Sequence, residues 1–303
     1  MFHADRTLDH WRWKYRDDPF GGTHISLVFA SDGELVAHYA GYVVPFVDRR
    51  EGHRPDFVGL HIGDTMTHPS YRHIGRGPTS LLARAVAHFY AHSSEQRVAF
   101  NYGFNTGNIQ RFSVRFLRLQ HLEDITAWTL GADAAMPREP SAYEIERVTE
   151  VSGEWDELFE SAAVHYGVLV RRDARYVRWR YLECPDRHHR IYGVRLRGRL
   201  VGWGAFRPID ADQVCGDAFF ERDHAQAAGP LIDHVRSTAP QAALTLWSPR
   251  RPAWWIETLT NLGFTAGPEP HDLALMAVPF LVQEPARDLV PGLFYSRGDG
   301  DLF

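Results

Sequence analysis

Two glycines set two apart between basic side chains, in Arg72-His73-Ile74-Gly75-Arg76-Gly77, are the residues of this chain best suited to chemistry. A strand-like stretch, Phe57 to His68, precedes them. Pro78, Thr79 and a helical pattern through Leu81, Leu82, Ala85, Val86 and Phe89 follow. A strand, a glycine loop and a helix start leave backbone N–H groups unpaired and pointing outward, which suits an anionic phosphate. Glycine permits positive φ and close backbone approach to a ligand. Arg72 and Arg76 add positive charge, and Pro78 sits where a missing N–H is harmless. The pattern reads as a cradle for the pyrophosphate of a nucleotide-tailed substrate.

Candidate proton-transfer groups lie on the strand ahead of the loop. Simple alternation puts Asp64, Met66 and His68 on one face and His61 on the other, and a bulge would swap this. An aspartate in a strand beneath a cleft can serve as a base or substrate contact; it can equally bond a neighbouring loop or the Trp13 region. Downstream, Asn105 and Asn108 can reach a ligand or cap a helix. The pairs Trp11/Trp13 and Trp254/Trp255 suit core packing better than a pocket. The 17 histidines form no metal-binding spacing. His88 and His92 lie on the outer face of a helical pattern, so no metal is expected.

The elements that position these residues occur twice. Arg12-Trp13-Lys14-Tyr15 with Pro19 recurs as Arg178-Trp179-Arg180-Tyr181 with Pro185, and Gly33-Glu34-Leu35-Val36-Ala37 recurs as Gly198-Arg199-Leu200-Val201-Gly202. Matching order and offset imply a duplicated domain. The expected division is 1–133 for a domain carrying the loop, 134–142 for a Pro/Ala-rich linker, 143–282 for a degenerate copy and 283–303 for a tail. Each copy runs through a short helix ending near its proline, then a hairpin. Copy one continues with the strand to His68, a helix from Pro78 to His92, a strand Arg97 to Tyr102, a helix Ile109 to Arg118 and one strand Asp124 to Leu130. Copy two opens with a strand, Tyr143 to Val148, and a helix, Glu154 to Tyr166, for which copy one has no room. Copy two lacks spaced glycines and carries acids where the loop would be. The expected class is α/β (α+β): two mixed, mainly antiparallel sheets flanked by helices.

Bulk composition excludes several roles. With 303 residues, 44% hydrophobic and 23% charged, the chain reads as globular. A net charge of −5 supports neither nucleic-acid nor membrane-surface binding. Two cysteines, no basic and apolar leader and no membrane-length apolar run point to the cytoplasm as the expected compartment.

The loop with its preceding Thr65-Met66-Thr67-His68-Pro69, its following Leu81-Leu82 and the duplicated tryptophan element resembles the GNAT superfamily of acyl-CoA-dependent N-acyltransferases, in the subgroup with tandem domains. That resemblance covers most of the chain; the tail, Leu293 to Asp301, is similar to tails of that subgroup. It implies pyrophosphate binding by Arg72, His73, Ile74, Gly75, Arg76, Gly77 and Thr79. Further implied are contacts to the pantetheine arm from the backbone at Met66 and His68, with Asn105 and Asn108 nearby, and the Met66 N–H as polariser of the thioester carbonyl. The implied reaction is transfer of an acyl group, expected from acetyl-CoA, to the amine of a small metabolite, with Asp64 or His61 as candidate base. The family's usual tyrosine, which protonates the departing thiolate, is replaced here by phenylalanine in the segment holding Phe112 and Phe116; Tyr102 and Tyr71 are the nearby substitutes. Two other readings remain open at this level: an inactive acyl-CoA-binding or scaffolding protein, and an aminoacyl transferase using charged tRNA. The chain is expected to act as a monomer or homodimer.

Overall fold

The computed structural model describes residues 7–50, 56–95, 98–135, 141–280, 292–301 and 303. The chain divides into two compact units, and neither is contiguous in sequence. Unit one collects residues 1–46, 56–124 and 270–291; unit two collects 47–55, 125–269 and 292–303. The contiguous division at 133 and 143 therefore differs from the observed one. Residues 136–140 of the expected linker, and 281–291 and 302 of the tail region, lie outside the described residues.

The strands are β1 (Thr23–Phe29), β2 (Leu35–Asp48), β3 (Phe57–Thr67), β4 (Phe100–Thr106), β5 (Gln120–Asp124), β6 (Thr126–Leu130), β7 (Tyr143–Val148), β8 (Val168–Val170), β9 (Arg190–Leu196), β10 (Arg199–Ile209), β11 (Asp212–Phe220), β12 (Leu244–Trp247), β13 (Thr265–Pro268) and β14 (Leu273–Pro279). The α-helices are α1 (Leu8–Trp11), α2 (Leu81–Glu95), α3 (Gly107–Phe116), α4 (Gly153–Ala163), α5 (Ala174–Val177), α6 (Ala228–Ser237) and α7 (Ala253–Asn261).

Unit one is built on the strand path β1-β2-β3-β4-β14-β5, and unit two on β13-β6-β12-β11-β10-β9-β7. Read from the hairpin outward, the two paths match strand for strand, and β7 is the one addition. They also reveal an exchange. The strand beside β4 is β14, from near the C-terminal end, while the strand beside β12 is β6, from the first half. The expected single strand Asp124 to Leu130 is in fact two, parted at Ile125 and directed into different sheets. Alternation of side chains specifies which face is buried but not which strand lies alongside. No local pattern in the chain therefore marks the exchange. In β14, the six residues Leu273 to Val278 are all buried, as a strand flanked on both edges and covered on both faces requires.

The duplicated tryptophan element has the same local form in both units. Thr7 caps α1 by accepting from the His10 N–H, and Asp173 caps α5 by accepting from the Tyr176 N–H. Each short helix then widens into a π-helical turn, Arg12–Arg16 and Arg178–Leu182. In unit one, α2 packs Ala85, Val86 and Phe89 onto Tyr39, Val43 and Leu60. It begins at Leu81 rather than Pro78, because Gly77–Thr79 forms a separate 3-10 turn and Ser80 is extended. The Ser80 hydroxyl oxygen accepts from the Ala83 N–H (3.3 Å), capping the helix. The expected strand Arg97 to Tyr102 is displaced to Phe100–Thr106, and Arg97 lies outside the described residues.

Unit two closes over its own C-terminal segment. Arg180 donates to the carbonyls of Gly298 (2.9 Å), Gly300 (2.7 Å) and Phe303 (3.0 Å). The Phe303 ring fills the notch over Gly216, where a Cβ would come within 2.0 Å of it. Arg172, fully buried, pairs with Asp217 (2.9 Å) and Asp299 (2.7 Å), so the tail carries one partner of a buried charge. His189 lies against Phe303 with ring centroids 4.9 Å apart. Burial, reinforced by nearby Arg180, lowers the His189 pKa to about 2. Unfolding exposes it and restores an ordinary histidine, so the unfolded chain binds the extra proton below pH ~6.5. The stabilisation is present above that pH and is lost as pH falls toward 2. Urea titrations of the wild type between pH 6 and 4 should show one more proton of slope, about 1.4 kcal/mol per pH unit, than a His189→Gln variant. Equal slopes would remove His189 as the source.

Candidate functional site

The site forms where β3 leaves β4. The two run parallel for three residue pairs, Gly59 with Phe100, Leu60 with Asn101 and His61 with Tyr102, and then pairing stops. Unit two repeats the design: β11 and β12 pair at Gln213, Val214 and Cys215 only. Beyond its last pair with β4, β3 pairs among the described residues with β2 only, so its other edge has no strand partner there.

A bulge reorganises that edge. The register of β2 with β3 slips between His38 and Ala40, leaving an extra residue on β3 at Asp64–Thr65. Asp64 has φ +56, a left-handed conformation that aspartate tolerates better than most residues. Three side chains hold it. Lys14 Nζ (3.0 Å) and the Tyr15 hydroxyl (2.8 Å) both donate to Asp64 Oδ2, and His38 Nδ1–H donates to the Asp64 carbonyl (2.5 Å). In unit two the Tyr181 hydroxyl likewise donates to Asp217 Oδ2 (3.0 Å). A tyrosine–aspartate latch thus recurs in the copy without the glycine loop. Its shared task is to anchor the split strand to the tryptophan element, and of the two roles open to Asp64 in the sequence, this is the one its contacts serve. Tyr15→Phe removes a bond to a carboxylate, worth about 2 kcal/mol. Urea unfolding should register that loss, and an unchanged midpoint would argue against the latch.

The bulge also decides which backbone groups face the opening. The His68 N–H donates to the Val36 carbonyl (2.9 Å), and its carbonyl accepts from the Tyr71 N–H (3.0 Å). The His68 N–H is therefore engaged on the β2 side of the strand. The same register pairs Met66 with His38, so alternation turns the Met66 N–H toward β2 as well. Thr67 directs its N–H to the other, open edge. The one-residue bulge thus leaves Thr67, rather than Met66 or His68, with its N–H on the open edge. The imidazole of His68 serves as a cap: its Nδ1 accepts from the Ser70 N–H (3.3 Å).

His61 is buried among the rings of Tyr42 (5.2 Å), Tyr102 (5.1 Å) and Phe104 (6.2 Å), inside the sheet rather than on the opening. Tyr102 is buried in the same cluster. Tyr71 is half-buried against the cluster of Val36, Ala37 and Leu81, and its hydrogen bond with Glu34 raises its pKa. On α3, Phe112 and Phe116 pack against one another (5.2 Å) and against the core.

The loop itself has the form of a cradle. Gly75 has φ +71 and Gly77 φ +55. A Cβ on Gly75 would lie 2.2 Å from the Thr79 carbonyl oxygen, and one on Gly77 would lie 2.8 Å from the Phe116 ring. Thr79 ties the loop together: its Oγ1 accepts from the Arg76 N–H (3.1 Å) and donates to the Arg76 carbonyl (3.0 Å). Its hydroxyl proton is therefore engaged within the loop. The Ile74 N–H donates to the Tyr71 carbonyl (3.0 Å) and the Ser80 N–H to the Gly77 carbonyl (3.2 Å). The N–H groups of His73, Gly75 and Gly77 have no acceptor among the described residues. Three alternate donors beside a helix start, with Arg76 exposed next to them, fit a pyrophosphate. Arg72 folds back, its Nε donating to the Thr67 carbonyl (3.2 Å). Asn105 donates to Ser113 Oγ (3.4 Å) and so braces α3 against β4. The Asn108 side chain lies outside the described residues.

Solved structures with this arrangement exist. A tandem GNAT protein from the clavulanic acid biosynthesis pathway superposes with a TM-score of 0.55 at 16% identity, covering 93% of this chain and 90% of that one. The fold is that of a tandem GNAT protein. GCN5-related N-acetyltransferases from Anabaena variabilis (TM-score 0.60, 14% identity, 85% of this chain) and Kribbella flavida (0.56, 14%, 84%) share it. This chain spans 63% and 60% of the length of those two proteins. No protein-family model and no curated protein matches the sequence. Within the tandem GNAT fold, unit one holds the open strand edge and the glycine loop, while the equivalent ground of unit two holds the tail. No described helix is long and apolar enough to cross a membrane.

Proposed function

We propose that this chain is an acyl-CoA-dependent N-acyltransferase that binds one acyl-CoA, with acetyl-CoA the expected donor, in unit one. The observation carrying this reading is the run of three unbonded N–H groups at His73, Gly75 and Gly77, placed where the open edge of β3 ends. The loop would take the pyrophosphate, with Arg76 adding charge. The Thr67 N–H at the open edge would bond the arm that carries the thioester. The amine nitrogen then bonds to the thioester carbonyl carbon, the C–S bond breaks, and the sulfur leaves as thiolate and takes a proton. The incoming ammonium gives up one proton before attack and the nitrogen a second afterwards, for a net release of one. Burial of His61 and the two hydrogen bonds that Asp64 Oδ2 accepts from Lys14 and Tyr15 favour water as the proton carrier, with Asp64 as a positioning residue.

Phenylalanines at 112 and 116, in place of a phenolic acid, favour a second reading: acyl-CoA binding without transfer. Calorimetry with acetyl-CoA and thiol release with a panel of amines separate the two. Binding at one molecule per chain with thiol release supports the transferase. Binding without release supports the second reading, and no binding overturns both.

A further inference from the structure

Next to the open edge of β3, unit one leaves apolar side chains uncovered. Leu27 pairs with His38, and His38 with Met66, in a row crossing three strands and spanning about 10 Å. Leu27 is 46% exposed and Met66 37%; Phe29, on the same face of β1, is 57% exposed. Trp11, 41% exposed, places its ring 5.9 Å from Tyr15, whose hydroxyl holds Asp64. These side chains therefore border the strand end that leads into the loop.

The repeat shows what such a row accepts. Residues 38 and 203 stand at equal distances from the matched Gly33 and Gly198. In unit two the corresponding row is Gly193, Trp203 and Phe219. Helix α4 covers it: Trp155 lies 5.5 Å from Trp203, and Phe159 stacks on Phe219 at 5.8 Å. Among the described residues of unit one, no helix takes the place of α4, and Leu27, Met66 and Phe29 stay exposed. The surface that takes two aromatic rings in unit two thus lies open in unit one, beside the proposed site of transfer. His38 interrupts the row, and its ring is tied to the Asp64 carbonyl. The uncovered floor is accordingly the size of a small molecule, whereas a docking helix needs an unbroken apolar stripe.

Resting on the transferase reading, we propose that this floor binds the body of the acceptor, a primary amine carrying an aromatic or alkyl group of about phenyl size. The apolar group lies over Leu27 and Met66 and the nitrogen points to the open edge at Thr67. The acyl group passes to that nitrogen with the atom balance given above.

The test compares ethanolamine, propylamine, hexylamine and phenethylamine as acceptors, and Leu27→Glu with the wild type. Leu27 is exposed, so the substitution spares the core. The kcat/KM should rise at least tenfold from propylamine to hexylamine and phenethylamine, and Leu27→Glu should cancel that rise. Turnover that ignores the apolar group, or survives Leu27→Glu unchanged, overturns the inference and leaves the transferase reading standing. Calorimetry with phenethylamine and acetyl-CoA, each alone, supplies a readout free of turnover. If acetyl-CoA does not bind, the transferase reading fails. The floor is then judged by phenethylamine alone: binding at least tenfold weaker in Leu27→Glu supports it as an apolar-amine site, and no binding, or equal binding, overturns it.

Discussion

A fragment ending at residue 133 should show no cooperative urea transition and bind no acetyl-CoA. The sequence division makes it a whole domain, but the sheet of unit one has a gap without β14. That strand bonds β4 on one edge and β5 on the other. It buries Leu273, Leu275, Met276 and Val278 completely or nearly so. Four such side chains contribute about 6–12 kcal/mol, as an upper range. A whole domain has a net stability of only about 5–15 kcal/mol. Removing the strand also strands the backbone donors and acceptors of β4 and β5, which are otherwise satisfied. Co-expression with residues 134–303 should restore both units, because each fragment then supplies the strand the other lacks. Circular dichroism and urea unfolding of the fragment alone give the answer directly. A cooperative transition in residues 1–133 would mean that β14 is dispensable.

Gly75→Ala should weaken acetyl-CoA binding at least a hundredfold while leaving most of the fold intact. Two constraints coincide at this glycine. Its φ of +71 is a left-handed conformation, which a Cβ disfavours by about 1–2 kcal/mol. The added methyl would also stand 2.2 Å from the Thr79 carbonyl oxygen, a backbone atom that cannot rotate away. The loop must therefore move as a body, and the N–H groups of His73, Gly75 and Gly77 are displaced with it. Loss of two charge-assisted hydrogen bonds to phosphate, at about 1.5–3 kcal/mol each, accounts for a hundredfold or greater effect. Gly77 differs in an instructive way. Its Cβ would meet the Phe116 side chain at 2.8 Å. A side chain can be trimmed, so Phe116→Leu should recover part of the binding that Gly77→Ala loses. Calorimetric titration of the three variants checks both statements, with thermal unfolding alongside. Unaltered affinity in Gly75→Ala would remove the loop from the proposed function.

Much of this was legible in the residues themselves. The glycines, their basic neighbours and the following apolar periodicity marked the loop, because positive φ and a helix start are local properties. The repeated Arg-Trp-Lys/Arg-Tyr element marked the duplication, and both copies fold into the same capped helix and π-helical turn. The tandem fold was determined at this level.

Tertiary structure decided the rest. Which strand lies beside β4 depends on the partner that completes the sheet, and β14 and β6 carry no local mark of their exchange. Which N–H faces the opening depends on a one-residue bulge at Asp64, and alternation counted along the sequence reverses there. Asp64 looked equally suited to proton transfer and to anchoring; only the approach of Lys14 and Tyr15, some fifty positions away, makes it a latch. His61 read as a candidate base and lies buried among aromatic rings. A residue's type and spacing are fixed by the chain, but the direction of its groups is fixed by contacts distant in sequence.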